Sequence, residues 1–306
     1  MNASALPARR RRGRLLRTGG DHVLAAVCIL LVTAFAVCCL FPFVYVFFVS
    51  FMSYEEYLAR PTAIIPLRFD LTAYRQILDY DLIRSSYGVT LTITLVGTLL
   101  SVFLLVISAY PLTKKSLKGR RAIMGLILFT MFFNGGLIPN YILVKAIGIY
   151  DSIAAMILPG CISAFNLILM KNFIITSVPE SLEEAARVDG ANDLRILFSI
   201  IVPLLTPAIA TMTIFSAVGY WNSYFSAMMY ISARKLWPLT LVLRELVVED
   251  TSAVSPVTAM LTSLSRSHPF TLKMAAIVIT ILPILVVYPF MQRFFVKGIS
   301  LGSVKE

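Results

Sequence analysis

The chain has 306 residues, of which 58% are hydrophobic and only 14% are charged, with a mean hydropathy of +0.83 and a formal net charge of +11. Soluble domains carry about 25% charged residues, so this composition excludes a disordered chain and a water-soluble globule. The four cysteines lie in apolar blocks and the chain has only two histidines, which excludes a disulfide framework and a His/Cys metal cluster. We therefore expect a polytopic membrane protein.

An arginine-rich segment at residues 9–17 precedes the first apolar block. A secretory signal has an apolar region of about 7–15 residues, followed by a cleavage site with small residues. Here the uncharged run at 23–52 is long enough to cross a membrane, so we predict an uncleaved first transmembrane helix. The arginines are then expected to anchor the topology rather than to bind nucleic acid.

Six apolar segments are each near or above the length of about 20 residues that a helix needs to cross a bilayer. Their apolar runs are continuous rather than alternating, which favours helices over barrel strands. The predicted spans are residues 23–50, 85–112, 122–143, 152–170, 207–230 and 274–290. The predicted organisation is a basic N-terminal tail (1–22), an all-α membrane domain of six helices (23–296) and a C-terminal tail (297–306).

Lysine and arginine are distributed unevenly between the two sets of loops. The positive-inside rule places the loops that are richer in these residues in the cytoplasm. The two tails and the loops after the second and fourth spans together hold 17, whereas the opposite loops hold 10. The most one-sided loop, between spans two and three, contains Lys114, Lys115, Lys118, Arg120 and Arg121 and no acid. We therefore expect both termini in the cytoplasm, as an even number of spans requires.

The six predicted spans contain no Asp, Glu, Lys, Arg or His. Proton-coupled carriers place a titratable group within the membrane and voltage sensors place arginines there, so this pattern disfavours both. A carrier that binds sodium through backbone carbonyls stays open. The chain has no G-x-x-x-x-G-K-[ST] motif for ATP. The carboxylate pairs at 183–184 and 249–250 have no visible base or nucleophile partner, which disfavours a membrane-embedded enzyme.

The segment at 177–206, between spans four and five, is predicted to form two short helices separated by Gly190. Two capping boxes are available at the start of the first helix, Ser177 with Glu180 or Ser181 with Glu184. Gly190 is placed to end that helix with a positive φ. By itself, this pattern is also typical of an ordinary amphipathic elbow between two membrane helices.

Further local contacts are predicted within the same segment. Glu183 and Arg187 have the i,i+4 spacing and order of a favourable ion pair. Asn192 or Asp193 is suited to cap the second helix. The apolar residues of that helix predict one buried stripe, formed by Leu194, Leu197, Phe198 and Ile201. Two alanines, Ala185 and Ala186, are expected to form a small-residue surface that a partner backbone can approach closely.

The same segment carries the pattern E-A-A-x-x-x-G-x(9)-I-x-L-P. It resembles the signature of bacterial ABC-importer permease subunits, with a valine at 202 where leucine is usual. The matching residues are Glu184, Ala185, Ala186, Gly190, Ile200 and Pro203. Four sequence segments are similar to the carbohydrate-uptake branch of this family. They are E-A-A-R-V-D-G-A, which includes Asp189, F-N-G-G-L-I-P (133–139), W-N-S-Y (221–224) and Q-R-F-F-V-K-G (292–298). Within that branch the chain resembles the maltose-type "G" permease and, more closely, permeases for larger oligosaccharides such as alginate.

This resemblance implies the type I permease fold of ABC importers and a place in the bacterial cytoplasmic membrane. It implies four kinds of partner: a second permease subunit that completes the pore, two ATPase subunits, an extracellular solute-binding protein and an oligosaccharide. The chain would not be an enzyme and would bind no cofactor, since ATP and Mg²⁺ belong to the ATPases. The motif residues from Glu184 to Pro203, with Asp189, would couple to the ATPase. A peptide or amino-acid cargo is the alternative.

Amides and aromatic rings inside the spans are candidates for the sugar path, because sugars stack on planar rings and their hydroxyl groups bond to amides. The candidates are Asn134, Asn140, Asn166, Trp221, Asn222 and Tyr224. For each of them a structural role is equally open, since amides join helices in membranes and aromatic residues form interfacial belts. The loop at 231–273 would either reach into the binding protein or form a simple hairpin.

Overall fold

The computed structural model describes residues 19–248 and 269–303, and within these ranges it is helical without β-strands. Residues 249–268 of the predicted 231–273 loop, residues 1–18 of the N-terminal tail and the last three residues of the C-terminal tail lie outside the described residues. The α-helices are α1 (Gly19–Val49), α2 (Tyr54–Ala59), α3 (Thr72–Asp79), α4 (Asp81–Thr113), α5 (Arg120–Phe132), α6 (Leu137–Ala146), α7 (Ile153–Ile157), α8 (Ala164–Ser177), α9 (Glu180–Val188), α10 (Asp193–Ile196), α11 (Val202–Leu204), α12 (Thr206–Trp221), α13 (Tyr224–Tyr230), α14 (Leu239–Val248) and α15 (Pro269–Ser303).

Helix α4 is the central element, because it passes through all three clusters of buried apolar residues. Its first turns pack with α3, α14 and α15, and its next turns pack with α7 and α13. Its last turns pack with α8 and with the segment from α9 to α12. A displacement of α4 must therefore disturb every part of this core, since protein interiors are close-packed.

Three of the predicted spans are single long helices. α1, α4 and α15 contain apolar stretches of 30, 33 and 20 residues, which is long enough to cross a bilayer. The most apolar part of α1 has no residue buried by the rest of the chain, and α1 packs mainly against α15. A helix that is apolar on all sides and covered by so little protein is suited to a lipid environment.

The third predicted span is not one helix, and the prediction of a continuous helix over 122–143 is wrong. α5 and α6 meet at an angle of 116° across residues 133–136. The sequence F-N-G-G explains the break, because Gly136 adopts φ +90° and the side-chain oxygen of Asn134 accepts the Gly136 N–H at 3.0 Å. An Asn side chain that bonds to nearby backbone favours a turn over a continued helix.

The fourth and fifth predicted spans are also interrupted. In the fourth, a 3₁₀ turn at Leu158–Gly160 ends the first half, and α8 leaves at 54° and continues to Ser177, beyond the predicted end at 170. Pro159 in that turn has no N–H to donate. In the fifth, α12 ends at Trp221 and α13 begins at Tyr224. The chain also bends by 82° at the start of α12, between Asp193–Leu204 and Thr206–Trp221. Counting each of the three pairs that are bent at 116°, 54° and 82° as one span gives up to six spans among the described residues.

Candidate functional site

The segment at 177–206, here called the α9–α10 segment, begins with a helix that has no side-chain cap. Pro179 occupies the N-cap position and α9 starts at Glu180, so neither predicted capping box forms. Two carboxylates, Glu180 and Glu183, lie in the first turn, where the partial positive charge of the helix N-terminus favours them. Pro179 replaces a capping side chain as the start signal. Its ring fixes φ near the value seen here, −62°, and the residue is extended, so the helix begins at Glu180.

Gly190 ends α9 as predicted. It adopts φ +79°, a conformation that costs an L-residue about 1 kcal/mol or more. Its N–H donates to the carbonyl of Arg187 and the N–H of Ala191 donates to that of Ala186, both at 3.0 Å. This pair of bonds is a Schellman motif, and it turns the chain sharply toward α10.

The second helix is capped as predicted but buries a different set of side chains. The side-chain oxygen of Asn192 accepts the Arg195 N–H at 2.8 Å. A π-helical turn at Leu197–Ile201 follows, and its wider turn shifts the angular positions of the side chains. The predicted buried stripe is therefore only partly correct. Leu197 and Ile201 are buried together with Ile196, whereas Leu194 and Phe198 are exposed.

Ion pairs hold the α9–α10 segment differently from the prediction. The side chain of Arg187 lies 2.6 Å from Asp193, across the Gly190 turn, rather than on Glu183. Glu183 instead forms an ion pair with Lys114, which follows α4. The turn geometry explains the difference, because it brings α10 back over the end of α9, within reach of Arg187.

The motif residues divide into an exposed set and an anchored set. Ala186 is the one described residue of α9 that is buried, and it packs in the cluster formed by α4, α8 and α12. Ala185 faces outward, so the predicted two-alanine surface is reduced to one alanine. The other exposed motif residues are Glu184, Asp189, Gly190 and Pro203, and Ile200 is half-buried.

Two concavities flank the core. An open groove of about 760 Å³ lies between the α4–α5 loop and α9, and Lys115, Arg120, Glu180 and Glu184 are among its lining residues. A second cavity, of about 380 Å³, lies between α4, α8, α12 and α13. Its polar lining consists of Ser101, Ser163, Asn166, Ser216, Tyr220, Asn222, Ser223 and Ser226. We call it the serine cavity.

The comparisons with known proteins now assign a family. Residues 93–301 match the family described as the binding-protein-dependent transport system inner membrane component. This match covers more than half of the chain and all of the α9–α10 segment. The chain belongs to this family.

Individual relatives agree with this assignment. The permease is 45% identical over 271 residues to the polygalacturonan/rhamnogalacturonan transport system permease protein YtcP of Bacillus subtilis (strain 168), across 89% of this chain and 94% of that protein. A chain of a bacterial ABC transporter involved in the import of the acidic polysaccharide alginate superposes with a TM-score of 0.84 at 35% identity, across 91% of this chain and 99% of that chain. These matches confirm the predicted resemblance to ABC-importer permeases and the predicted fold.

A more distant structure supports the fold alone. A bacterial alginate ABC transporter in complex with an alginate pentasaccharide-bound periplasmic protein gives a TM-score of 0.60 at 14% identity, across 89% of this chain and 93% of that chain. The orientation of the termini of the permease is not shown by any of these comparisons and stays a prediction.

The structure brings together two of the six residues predicted to line a sugar path. Asn166 and Asn222 both line the serine cavity. Trp221, next to Asn222, is buried, and its indole N–H has no acceptor among the described residues. Tyr224 lies on another side of α13, where the Arg244 guanidinium is 5.8 Å from its ring centroid. Asn134 is at the α5–α6 break, within 3.4 Å of Asn140.

Sequence reasoning missed the serine and tyrosine groups of the cavity. Tyr220 donates to the carbonyl of Ile157 at 3.2 Å and forms a 2.9 Å hydrogen bond with the hydroxyl of Ser101. A signal was available: Ser216, Gly219, Ser223 and Ser226 recur every three or four residues. That spacing aligns small residues on one helix face, and such a face allows another chain or a ligand to approach closely.

Proposed function

We propose that this permease is the transmembrane subunit of an ATP-driven, binding-protein-dependent oligosaccharide importer of the bacterial cytoplasmic membrane. It forms half of the pore together with a second permease subunit. Two ATPase subunits carry ATP and Mg²⁺, and one of them binds the α9–α10 segment of this chain. An extracellular binding protein delivers the sugar. The chain itself binds no cofactor and catalyses no reaction.

The observation that carries this proposal is the form of the α9–α10 segment. Two short helices are locked by the Gly190 turn and anchored in the core through Ala186 and Ile196. The opposite side presents Glu184, Ala185 and Asp189 to solvent, and Val188 beside them is 88% exposed. Leu194 and Phe198 of the same segment are also exposed, and a group of exposed apolar side chains is typical of a protein-docking surface. Closure of the ATPase pair would shift this segment, and that differential contact would bias the pore between its two states.

The serine cavity supports a carbohydrate cargo. Serine, tyrosine and amide side chains offer both donors and acceptors, which is what sugar hydroxyl groups require. The names of the relatives point the same way, since YtcP is named for polygalacturonan and rhamnogalacturonan and the solved relative for alginate. A peptide cargo would find no charged side chain among the lining residues to pair with its termini.

We further propose that the oligosaccharide is acidic. Lys145 lies within 5 Å of the ring centroids of Tyr141 and Tyr150, and the Tyr150 hydroxyl joins the neighbouring loop through Ser232. Arg234, in that loop, has its guanidinium 5.6 Å from the Trp237 ring centroid. Among the described residues neither cation has a carboxylate within 4.0 Å, so both remain available to attract an anionic sugar.

The first experiment is a purification of the tagged chain, expressed with its neighbouring genes, after mild detergent extraction. We expect a second permease and an ATPase to co-purify, and ATP hydrolysis to rise when the binding protein and an acidic oligosaccharide are added. Stimulation by a peptide instead of a sugar would contradict the cargo. A chain that purifies alone and transports without any ATPase would overturn the whole proposal and favour an independent carrier.

A pair of substitutions tests the docking surface. Glu184→Lys reverses a charge on the exposed side of α9, and Gly190→Leu places a side chain where φ is +79°. Both should leave the chain in the membrane but abolish ATP-coupled uptake of sugar. Ser181→Lys, which adds a lysine at another exposed position of α9, is the control and should transport normally. Normal uptake by both test variants would refute the assignment of the docking surface.

A further inference from the structure

Two lysines at the end of α4 form ion pairs with two glutamates of α9, in very different surroundings. Lys114 pairs with Glu183, and the two side chains are only 20% and 14% exposed. Lys115 pairs with Glu180 at 3.1 Å, but these side chains are 78% and 71% exposed. The contact between the end of α4 and α9 therefore contains two lysine–glutamate ion pairs, of which one is shielded from solvent and the other is exposed to it.

The electrostatic interaction is expected to be stronger in the shielded Lys114–Glu183 pair than in the exposed Lys115–Glu180 pair. Ion pairs in water are weakened by solvent and salt, whereas removal of one partner of a shielded pair leaves an uncompensated charge. Burial, followed by the positive charge of Arg187, lowers the pKa of the Lys114 ammonium, whereas the carboxylates of Asp193 and Glu180 act in the opposite direction. Loss of a carboxylate in direct contact with this ammonium would disfavour its charged form further. The same ammonium lies 4.2 Å from the ring centroid of Tyr110 on α4, which is within cation–π range.

The apolar contact between α9 and the core is too small to fix the orientation of α9. Ala186 is the one described residue of α9 that is buried, and a single methyl group makes a weak contact without direction. The Lys114–Glu183 ion pair is directional and joins α9 to the C-cap residue of α4. Glu183 lies one turn before Ala186, so both contacts lie on the side of α9 that faces the core.

The other end of this connection is the serine cavity. Ser101 lies on α4, about 20 Å before Lys114 at 1.5 Å per residue, and its hydroxyl bonds to Tyr220 of α12. α4 is an uninterrupted helix between these points. A force applied to α4 at Lys114 would therefore reach the wall of the cavity along a rigid element.

We propose that the Lys114–Glu183 ion pair is the positioning contact that makes α4 follow α9. This inference rests on the proposed function, in which α9 docks on the ATPase. Lys114 and Glu183 touch neither sugar nor ATP in this scheme. They convert a displacement of α9 into a displacement of α4, which lines the serine cavity, so that each ATP hydrolysed produces transport.

The test measures sugar uptake and ATP hydrolysis together, on the complete importer in proteoliposomes with its binding protein. Lys114→Met and Glu183→Gln should still co-purify with the ATPase and still hydrolyse ATP. Uptake per ATP should fall by about tenfold, within the usual range of coupling between sites. Lys115→Met is the matched control, because it breaks the solvent-exposed pair of the same type at the neighbouring lysine, and it should keep the wild-type ratio.

A merely structural role is distinguished by restoring the charge pair. The double variant Lys114→Glu with Glu183→Lys reverses the pair and should regain most of the wild-type ratio, and Lys114→Arg should keep it. If the two single variants do not assemble, Lys114→Arg and the double variant still decide the question, since a low ratio in both would overturn the inference.

The outcome also separates this inference from the function on which it rests. A wild-type chain that holds no ATPase would show that the proposed function is wrong. A wild-type importer that couples normally, together with Lys114→Met and Glu183→Gln variants that transport at the wild-type ratio, would refute the ion-pair proposal alone.

Discussion

At the scale of single residues, Gly97 of α4 packs closely against the ring of Tyr220 of α12. A Cβ atom at position 97 would lie 2.8 Å from two atoms of the Tyr220 ring. The ring cannot move aside freely, because its hydroxyl is bonded to Ser101 and to the carbonyl of Ile157. Gly97 is therefore required by packing, and nothing in the sequence around it indicates that its neighbour is Tyr220.

We predict that Gly97→Ala destabilises the permease by about 1–3 kcal/mol through overpacking. The measurement is the midpoint of thermal unfolding in detergent. Gly88→Ala on the same helix is the control, since a Cβ there meets nothing within 4 Å, and alanine is the better helix former. Equal midpoints for the two variants would show that the Tyr220 ring adapts and that the contact is not required.

At the scale of helices, a single threonine joins α4 to the start of α14. The Thr90 hydroxyl donates to the carbonyl of Ser86 and accepts the backbone N–H of Leu239, both at 2.8 Å. Thr90 is almost fully buried. The Leu239 N–H lies in the first turn of α14, and the N–H groups of a first turn have no acceptor within their own helix. Thr90 of α4 therefore caps the start of α14.

We predict that Thr90→Val lowers the free energy of unfolding by about 1–3 kcal/mol, because it leaves a buried N–H without an acceptor. Thr92→Val is the control: Thr92 is exposed and its hydroxyl donates only to the carbonyl of Gly88 in its own helix. Thermal unfolding and the rate of proteolysis within the 231–248 stretch both report on this joint. Similar losses in the two variants would argue against the cap.

The interruptions of helices show how far local sequence determined the elements. The apolar runs located the spans approximately, whereas the breaks at F-N-G-G and at Pro159 were not predicted, although both contain residues that disfavour a continued helix. The size of each bend was not predictable, since 116° and 54° depend on what packs beside the break. The same holds for α9: Gly190 determined where the helix ends, whereas the partner of Glu183 depended on the position of Lys114, 69 residues earlier in the chain.

At the scale of the whole molecule, the uneven distribution of lysine and arginine predicts which end faces the cytoplasm. The end that carries the α4–α5 loop and the α9–α10 segment is rich in basic residues, and the opposite end is poorer in them. The structure places the basic α4–α5 loop beside the α9–α10 segment, as a common location requires. The sidedness itself stays a prediction.

We predict that a single cysteine replacing Lys235 is labelled in intact cells by a membrane-impermeant thiol reagent, whereas one replacing Lys118 is labelled only after permeabilisation. Both lysines are exposed, so accessibility within the protein does not limit either reaction. The four native cysteines are first replaced by serine or alanine. The reverse pattern of labelling would invert the predicted topology and place the α9–α10 segment out of reach of a cytoplasmic ATPase.

By itself, the sequence determined the helical class, the approximate spans, the family motif, the end of α9 and the start of α10, because these depend on composition, periodicity and residues close in the chain. The tertiary structure alone decided which groups meet across long separations: Gly97 with Tyr220, Thr90 with Leu239, Lys114 with Glu183, and Asn166 with Asn222. Long apolar helices carry little information about which of their faces pack together, since nearly every face is apolar. The contacts that shape the cavity therefore follow from the packing of the whole bundle.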